Sequence, residues 1–404
     1  MKDDNFIKKI SKMKLAFYYH VPLASKDGQL FAPSYFGVFL DSLASNVAAL
    51  YLVFHEANDS QALECDYQLT NHNIRWVNLG LKTPAWHRDL FYQKVLKNKL
   101  DDIQHCDAFI VRSPSPLAPY FHQFISNNTT LFFMVVGDYL DGATHLKSST
   151  FRDRIIYQYL KYNDRNFTKA IKKTNLLVNS IGLFEKYQKI AKSIHLIKTT
   201  TLSTADFYRR EDTCQSNSIQ LLYTGRIDVA KGLIELVEAT HILIQEKYPV
   251  VLNIVGWEQD DVARPVENKM ITLAKKLGIE NQLIFHGRKK VGPELNKMYQ
   301  QADLYVIPSY HEGFPRTIWE AMANSLPVIA TKVGGIPTYL THEKNAMLIE
   351  PKSVEEIVRG IKKMANDSVL RKKIIVEGFE LVKSNTLEVQ TKKMITIVSE
   401  VIPN

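Results

Sequence analysis

The sequence predicts an α/β protein of two Rossmann-like domains that face each other across a deep cleft. Its 404 residues are more than twice the length of a typical single domain, which favours two domains of about 200 residues each. Short apolar runs alternate with longer segments of helical period, a pattern typical of parallel sheets covered by helices. The pattern occurs once in each half of the chain.

The predicted strands are short runs that are apolar almost throughout, as in strands buried on both faces. In the first half they lie at 15–21, 48–55, 74–78, 108–112, 131–136 and 176–179. In the second half they lie at 219–224, 250–255, 282–286, 304–308, 327–330 and 346–349.

The predicted linker between the domains is the stretch 199–218, which is rich in Thr, Ser and charge and has no clear period. The first domain is then 1–205 and the second 206–384. The last helical stretch, about 370–401, is amphipathic and long enough to pack back onto the first domain, so we assign 385–404 to that domain.

The composition, 45% hydrophobic and 23% charged, excludes a disordered, collagen-like or repeat-dominated chain. No apolar run approaches the roughly 18 to 20 residues that cross a bilayer. The three cysteines, Cys65, Cys106 and Cys214, are far apart, which excludes a disulfide framework or a Cys-rich zinc site and favours a reducing compartment. Polar residues interrupt the apolar run after the Lys-rich start, so we interpret it as a strand and expect a cytoplasmic protein.

The net charge of +9 suits an anionic partner, such as a nucleotide, a phospholipid surface or nucleic acid, although ordinary solvated lysines give the same total. The segment 152–173 is basic and amphipathic, and the start of the chain is Lys-rich around apolar residues. We expect peripheral contact with the inner face of an anionic membrane; the alternative is two solvated basic helices. Nucleic acid is the least favoured partner, because no recognisable nucleic-acid module accompanies the charge.

The strongest motif occupies 302–330: a buried strand, a tight loop with Glu312, Gly313 and Phe314, and a helix expected to start at Pro315. A helix N-terminus at the carboxyl end of a parallel strand presents free N–H groups to an anion. Glu312 and Glu320 suit neutral hydroxyls of the same ligand. In the alternative interpretation Glu312 only caps the helix and Glu320 is solvated.

Other strand-to-helix loops add basic residues and glycines at the same predicted sheet edge. Gly225, Arg226 and Lys231 follow the first strand of the second half, a set suited to a diphosphate, although a lone basic loop is usually surface decoration. Gly334 and Gly335 follow a later strand. Three further residues close strands where a nucleotide base could lie: Gly256, His286 and Arg288.

With these motifs the second half resembles the nucleotide-sugar domain of the retaining, GT-B-fold glycosyltransferases of family 4, also called glycosyl transferases group 1. The resemblance covers about 219–364. Its residues are Gly225, Arg226, Lys231 and Gly232, then Gly256, then Glu312-Gly-Phe-Pro with Glu320-Ala-Met-Ala, then Gly334-Gly-Ile-Pro337 and Asn345-Ala-Met-Leu348.

The resemblance implies a role for each matching residue. Arg226 and Lys231 would bind the donor diphosphate, and Glu320 the ribose hydroxyls. Glu312, with the amides of Gly313 and Phe314, would address the donor sugar. The loop that ends at Arg288 would meet the base, with Gly225 and Gly256 at the same edge.

The sequence departs from the family pattern at several positions. Thr338 stands where Glu is frequent and Ala346 where Gly is common. Gly137-Asp-Tyr replaces a His in the first domain, so Asp138 is a candidate contact for the reacting sugar or the acceptor; the alternative is an Asx turn. The loop at 25–30, with Gly28, resembles the family's flexible loop beside the phosphates.

The resemblance implies a hexosyltransferase that retains the anomeric configuration and uses a UDP- or GDP-sugar as donor, with a glycan or lipid-linked glycan of the cell envelope as acceptor. We expect no metal and no cofactor, because Arg226 and Lys231 can stabilise the leaving diphosphate. The alternative is a non-catalytic GT-B subunit that binds sugar nucleotide or stabilises a partner enzyme. A dehydrogenase is excluded, since no Gly-x-Gly-x-x-Gly follows the first strand.

Overall fold

The computed structural model describes residues 9–126, 128–138, 140, 151–172, 174–258 and 263–403. The chain forms two compact units. Unit 1 comprises the residues up to Thr199 and those from Leu387 onward, and unit 2 comprises Thr200–Thr386. The divisions predicted from the sequence lie at 205/206 and 384/385.

Unit 1 contains a seven-stranded parallel sheet in the order β10-β9-β8-β7-β1-β4-β6. A small antiparallel sheet, β2-β3-β5, accompanies it. The strands of the two sheets are β1 (Lys14–Tyr18), β2 (Ala24–Lys26), β3 (Gln29–Ala32), β4 (Ala49–Glu56), β5 (Tyr67–Gln68), β6 (Ile74–Leu81), β7 (Ala108–Ser113), β8 (Thr130–Val135), β9 (Asn175–Val178) and β10 (Ser193–Leu196).

Helices cover both faces of the seven-stranded sheet. The side chains of β1 alternate, so that Leu15 and Phe17 enter one apolar cluster and Ala16 and Tyr18 the other. The described helices of unit 1 are α1 (Ser34–Ala44), α2 (Asp59–Ala62), α3 (Ala85–Phe91), α4 (Gln93–Asp101), α5 (Phe121–Phe124), α6 (Phe151–Ile171) and α7 (Ile181–Tyr187).

Unit 2 contains a six-stranded parallel sheet in the order β13-β12-β11-β14-β15-β16, with one large apolar cluster. The strands are β11 (Ile219–Arg226), β12 (Val250–Trp257), β13 (Leu283–Phe285), β14 (Leu304–Ile307), β15 (Val328–Thr331) and β16 (Met347–Ile349). In chain order this is the 3-2-1-4-5-6 arrangement of a doubly wound fold. The predicted α/β class with two Rossmann-like sheets is confirmed.

The described helices of unit 2 surround this sheet, and one further helix closes the chain. They are α8 (Leu233–Gln245), α9 (Pro265–Leu277), α10 (Pro293–Gln301), α11 (Arg316–Ala323), α12 (Ile336–Tyr339), α13 (Val354–Asn366) and α14 (Ser368–Val382). The last helix, α15 (Leu387–Val401), packs on α1 in unit 1, where the hydroxyls of Thr391 and Ser42 lie 2.9 Å apart.

The predicted linker at 199–218 contains the division between the units, at 199/200, but the residues from Thr200 onward pack on unit 2. The amide of Tyr208 donates to the carbonyl of Ala323, and the guanidinium of Arg210 donates to the carbonyls of Tyr299 and Gln300. The stretch 199–218 thus contacts unit 2 through polar groups, which explains why its sequence has no apolar period.

Candidate functional site

The predicted loops of unit 2 meet where its strand order reverses. β11 and β14 are neighbours, and the strands that follow each of them extend the sheet in opposite directions. In open α/β sheets, ligands bind in the crevice outside the carboxyl ends of such a strand pair. Arg226 and Lys231 follow β11, and Glu312 follows β14, so the three residues flank this position.

The loop after β11 is held against the end of β14. Asp228 accepts a hydrogen bond from the amide of Ala230 at 2.8 Å, and a single 3-10 turn, Val229–Lys231, follows. Gly232 then has a φ of 65°, and a Cβ there would lie 2.2 Å from the carbonyl oxygen of Pro308. Only glycine therefore permits this approach, which turns Lys231 toward the loop after β14.

Lys231 forms an ion pair with Glu312. The distance from its Nζ to Oε1 of Glu312 is 2.7 Å, and the two side chains are 16% and 10% exposed. The hydroxyl of Ser309 donates to the same oxygen at 2.7 Å. A cation and a carboxylate are thus held side by side at the sheet edge, within reach of a ligand that carries both phosphate and hydroxyl groups.

The loop that carries Glu312 rests on the loop after β15. The carbonyl of Gly313 accepts from the amide of Gly335 at 2.6 Å. Gly334 has a φ of 54°, and a Cβ there would lie 1.6 Å from the carbonyl oxygen of Glu312. The ring of Phe314 stacks on that of Trp319 with centroids 4.3 Å apart. The following helix, α11, begins at Arg316, one residue later than expected.

Glu320 lies on α11, is 7% exposed, and is not a solvated helix residue. Its Oε1 accepts a short hydrogen bond from the hydroxyl of Thr201, and its Oε2 accepts one from that of Tyr299 at 2.8 Å. Tyr299 also lies 2.7 Å from the hydroxyl of Thr224. Burial raises the pKa of Tyr299 well above its usual value, so its hydroxyl is a neutral donor at neutral pH.

Four residues named from the sequence lie at the ends of β11, β12 and β13: Gly225, Arg226, Gly256 and Arg288. Gly225 and Gly256 are paired in register at the ends of β11 and β12. The side chain of Arg226 is exposed, and its backbone carbonyl accepts from the hydroxyl of Tyr223. The guanidinium of Arg288 lies 5.1 Å from the ring centroid of Trp257, which makes a cation–aromatic surface near the end of β12.

Asp138 and Gly28 belong to unit 1. Oδ1 of Asp138 accepts from the amide of Leu140 at 3.0 Å, as in the Asx turn considered above, and its Oδ2 lies 2.6 Å from Nζ of Lys186. Gly28, with a φ of 74°, lies in the turn of the β2–β3 hairpin after Asp27, which has a φ of 51°. This is the geometry of a two-residue hairpin turn.

Among the residues that the structure describes, no three His, Cys, Asp or Glu side chains are grouped so that they could hold a metal ion. No described helix is long and apolar enough to cross a membrane.

Sequence reasoning missed Thr201, Tyr299 and Ser309, which hold the two glutamates in place. Tyr299 and Thr201 lie 21 and 119 positions from Glu320, and no sequence motif contains either of them. Ser309 precedes Glu312 by three positions and was within the motif. A hydroxyl this close in sequence to Glu312 is a signal from which the hydrogen bond between the two residues could have been predicted.

Residues 205–380 match the family model described as glycosyl transferases group 1. Unit 2 is therefore a group 1 glycosyl transferase domain. An uncharacterized glycosyltransferase of Methanocaldococcus jannaschii is 31% identical over 168 residues, which are 42% of this chain and 41% of that protein. The capsular polysaccharide biosynthesis glycosyltransferase CapM of Staphylococcus aureus is 26% identical over 169 residues, 40% of each chain. The chain thus spans about two fifths of the length of each of these two relatives.

The likeness of fold extends well beyond the group 1 domain. HepE of Anabaena, solved in complex with UDP-glucose, is 15% identical and covers 96% of this chain and 99% of its own, with a TM-score of 0.70. The likeness to such structures confirms the predicted GT-B fold, and the family-model match confirms the resemblance of the second half to group 1.

Proposed function

We propose that this protein transfers a sugar from a UDP- or GDP-sugar to a glycan or lipid-linked glycan, with retention at the anomeric carbon. The observation that carries the proposal is the ion pair of Lys231 and Glu312 at the strand-order reversal of a group 1 domain. A cation suits the diphosphate and a carboxylate suits the sugar hydroxyls. CapM, which the chain resembles, is named for capsular polysaccharide biosynthesis, which supports an envelope glycan as acceptor.

In the proposed site the diphosphate lies beside Lys231 and Arg226. Breaking the bond from the anomeric carbon to phosphate develops negative charge on the leaving group, and fixed cations lower that barrier. When phosphate oxygens attract the Lys231 ammonium, Oε1 of Glu312 keeps the hydrogen bond from Ser309 and Oε2 is available to the sugar. Retention is proposed to follow from attack by the acceptor on the leaving-group face, with the departing phosphate taking the proton.

The proposed ribose partner is Glu320. Each of its oxygens already accepts one hydrogen bond, from Thr201 or Tyr299, and retains a second lone pair for a hydroxyl. These donors fix the carboxylate before the nucleotide arrives. The exposed pair of Trp257 and Arg288 is the proposed surface for the base, and the complex of HepE with UDP-glucose supports uridine as the first base to test.

The proposed acceptor side includes an anionic membrane. α6 exposes Phe151 and Ile155 together with Arg152 and Arg154, whereas Phe167 and other residues of the helix face the core. Exposed apolar side chains among cations suit an anionic lipid surface. We propose that the protein acts at the inner face of the membrane. Sedimentation with vesicles of phosphatidylglycerol, but not of phosphatidylcholine, is the expected result.

The donor test is calorimetry with UDP-, GDP- and ADP-sugars on the wild type and on Arg226→Met and Glu320→Gln. The matched control is Arg359→Met, which removes an exposed arginine from α13 in the same unit. Selective binding of one donor, weakened about tenfold by the first two variants and not by the control, is expected. Binding of no donor by the wild type would instead support the non-catalytic subunit.

A further inference from the structure

Unit 1 has its own reversal of strand order, between β1 and β7. The strands after β1 extend the sheet through β4 and β6, and those after β7 extend it the other way. By the rule applied to unit 2, this is where the sheet of unit 1 binds a ligand. Four residues with basic side chains lie at or just beyond the carboxyl ends of these strands: His20, His55, Lys82 and Arg112.

Arg88, on α3, adds a buried guanidinium to this edge. It is 5% exposed; its Nη1 donates to the carbonyl of Thr83 at 2.8 Å, and its Nε has no hydrogen-bond partner. Among the described residues no carboxylate forms an ion pair with Arg88 or Lys82, and the neighbouring Asp89 accepts from Tyr120. A guanidinium keeps its positive charge when it is buried. The charge of Arg88 is therefore buried without a paired carboxylate to balance it.

The histidines at this edge respond to the same positive field. The pKa of His20 and that of His55 are lowered to about 3, mainly by burial and in part by the charges of Arg88 and Lys82. Nδ1 of His20 is buried without a hydrogen-bond partner. Burial and Arg88 also lower the pKa of Lys82, against an opposing effect of Glu64, which is exposed. Glu64 is thus the carboxylate that acts on Lys82, while Glu56, at the end of β4, accepts a hydrogen bond from Asn78 at 3.0 Å.

Arg112 lies on the β7 side of the reversal. Its guanidinium stacks over the rings of Tyr19 and Phe36, at 4.5 and 4.9 Å from their centroids. Tyr19 follows β1, so this contact connects the two strands at which the order reverses. The stacking fixes the plane of the guanidinium at this edge of the sheet.

We propose that the basic cluster of unit 1, defined as His20, Lys82 and Arg88 and bordered by Arg112, binds a phosphate group of the acceptor. This inference rests on the proposed transferase function, since it names the chemistry of that acceptor. Arg88 and Lys82 carry two positive charges; a dianionic phosphate neutralises both, and a carboxylate neutralises one. The phosphate belongs either to a water-soluble sugar phosphate or to a lipid-linked diphosphate.

Calorimetry with inorganic pyrophosphate, in the presence of saturating UDP, tests the cluster in the full-length protein. The variants are Lys82→Met and Arg88→Met, and the control is Lys97→Met, an exposed lysine of α4. Pyrophosphate should bind the wild type and the control equally and bind Lys82→Met about tenfold more weakly. Lys82 is only half-buried, so its variant keeps the test valid if Arg88→Met does not fold.

Equal binding by Lys82→Met and Lys97→Met would overturn the inference. The titration is repeated without UDP: pyrophosphate binding at the cluster that UDP abolishes would also overturn the inference, because the cluster would then serve the donor. If the protein binds pyrophosphate in a Lys82-dependent way but binds no sugar nucleotide, the phosphate site in unit 1 is supported and the donor proposal is refuted. Glucose 1-phosphate and vesicles that contain a polyprenyl diphosphate, tried in turn, distinguish the two sources of phosphate.

Discussion

The ammonium of Lys231 lies 2.7 Å from Oε1 of Glu312, a residue 81 positions away in the sequence. The contact exists because β11 and β14 are neighbours in the sheet and each ends in a loop at the same edge. It joins the group suited to the donor phosphates to the group suited to the donor sugar. When a donor binds here, each member of the ion pair can therefore exchange its partner in the protein for a group of the ligand.

Replacing Lys231 with methionine should lower kcat about 10²- to 10³-fold, because the leaving diphosphate loses a fixed cation. Steady-state kinetics with the donor identified by calorimetry measures the effect. Lys383→Met is the matched control: its ammonium lies 2.6 Å from Glu380, but both side chains are well exposed. Exposed pairs contribute only about 0 to 1 kcal/mol to stability, and Lys383 follows α14, outside the strand-end loops of the proposed chemistry. An equal loss of kcat in both variants would contradict the role of Lys231.

Gly334→Ala should disrupt the loop that carries Glu312. The new Cβ would meet the carbonyl oxygen of Glu312 at 1.6 Å, and the φ of 54° is unfavourable for alanine. We expect a loss of more than about 2 kcal/mol in the free energy of unfolding, with loss of donor binding. Gly278→Ala has a similar φ of 68° but no atom within 4 Å of the new Cβ, so it should cost only about 1 kcal/mol. Urea unfolding of the two variants compares them, and equal losses would show that the close approach is unimportant.

Tyr299→Phe should loosen Glu320 without removing its charge. The change deletes the hydrogen bond to Oε2 of Glu320 and the one shared with Thr224. We expect about 1 to 3 kcal/mol of lost stability and a rise in the donor KM that exceeds any change in kcat. Tyr248→Phe, which removes a hydroxyl bonded to the exposed Asn366, should change neither quantity measurably. A KM that Tyr299→Phe leaves unchanged would argue against Glu320 as the ribose partner.

The parts of the fold that could be predicted are those with a local signal. All the predicted strands are present, because a run buried on both faces is apolar throughout. The strands that were missed carry no such run: β10 is half-buried along its whole length, and β2 is exposed at two of its three residues. The spacing of motifs after strands also predicted that Lys231 and Glu312 share a sheet edge.

The parts of the site that could not be predicted depend on long-range contacts. Thr201 lies in the polar stretch interpreted as a linker, and only the folded chain brings it to Glu320. Similarly, Arg88 and His20 come from separate elements, and their spacing in the sequence carries no signal. Neither the polarity of a segment nor a single basic residue indicates which partner it will meet.

Unit 1 should lose stability on mild acidification. The pKa of His55 in the folded protein is about 3, below its usual 6.5, mainly because the ring is buried. Above pH 6.5 the ring of His55 is neutral in both the folded and the unfolded chain. As the pH falls from 6.5 toward 3, only the unfolded chain takes up a proton at this ring, so the free energy of unfolding falls by about 1.4 kcal/mol per pH unit. Hydrogen exchange of β4 amides between pH 7 and 4 measures this slope. His20 has a similar pKa of about 3 and adds a similar slope, so His55→Gln should reduce the slope by about half, whereas a change at the exposed His105 should not alter it. A slope that His55→Gln leaves intact would refute the assignment.

Asp138 can be tested separately as a structural ion-pair partner and as a contact for the reacting sugar. Burial lowers the pKa of Lys186, but the hydrogen bonds and charges of Asp138 and Tyr187 together outweigh it and the pKa is raised, so the Lys186 ammonium keeps its charge at neutral pH. Asp138→Asn keeps an oxygen for the amide of Leu140 and removes the negative charge, whereas Lys186→Met breaks the same pair from the other side.

If the carboxylate of Asp138 contacts the reacting sugar, Asp138→Asn should lower kcat about 10²-fold with unchanged donor affinity. Lys186→Met should then retain most of the activity, because it leaves the carboxylate in place. Equal losses in both variants would mean that only the ion pair matters and that Asp138 orders the end of β8. Single-turnover kinetics at saturating donor compares the chemical step directly, and calorimetry on the same proteins shows whether donor affinity is unchanged.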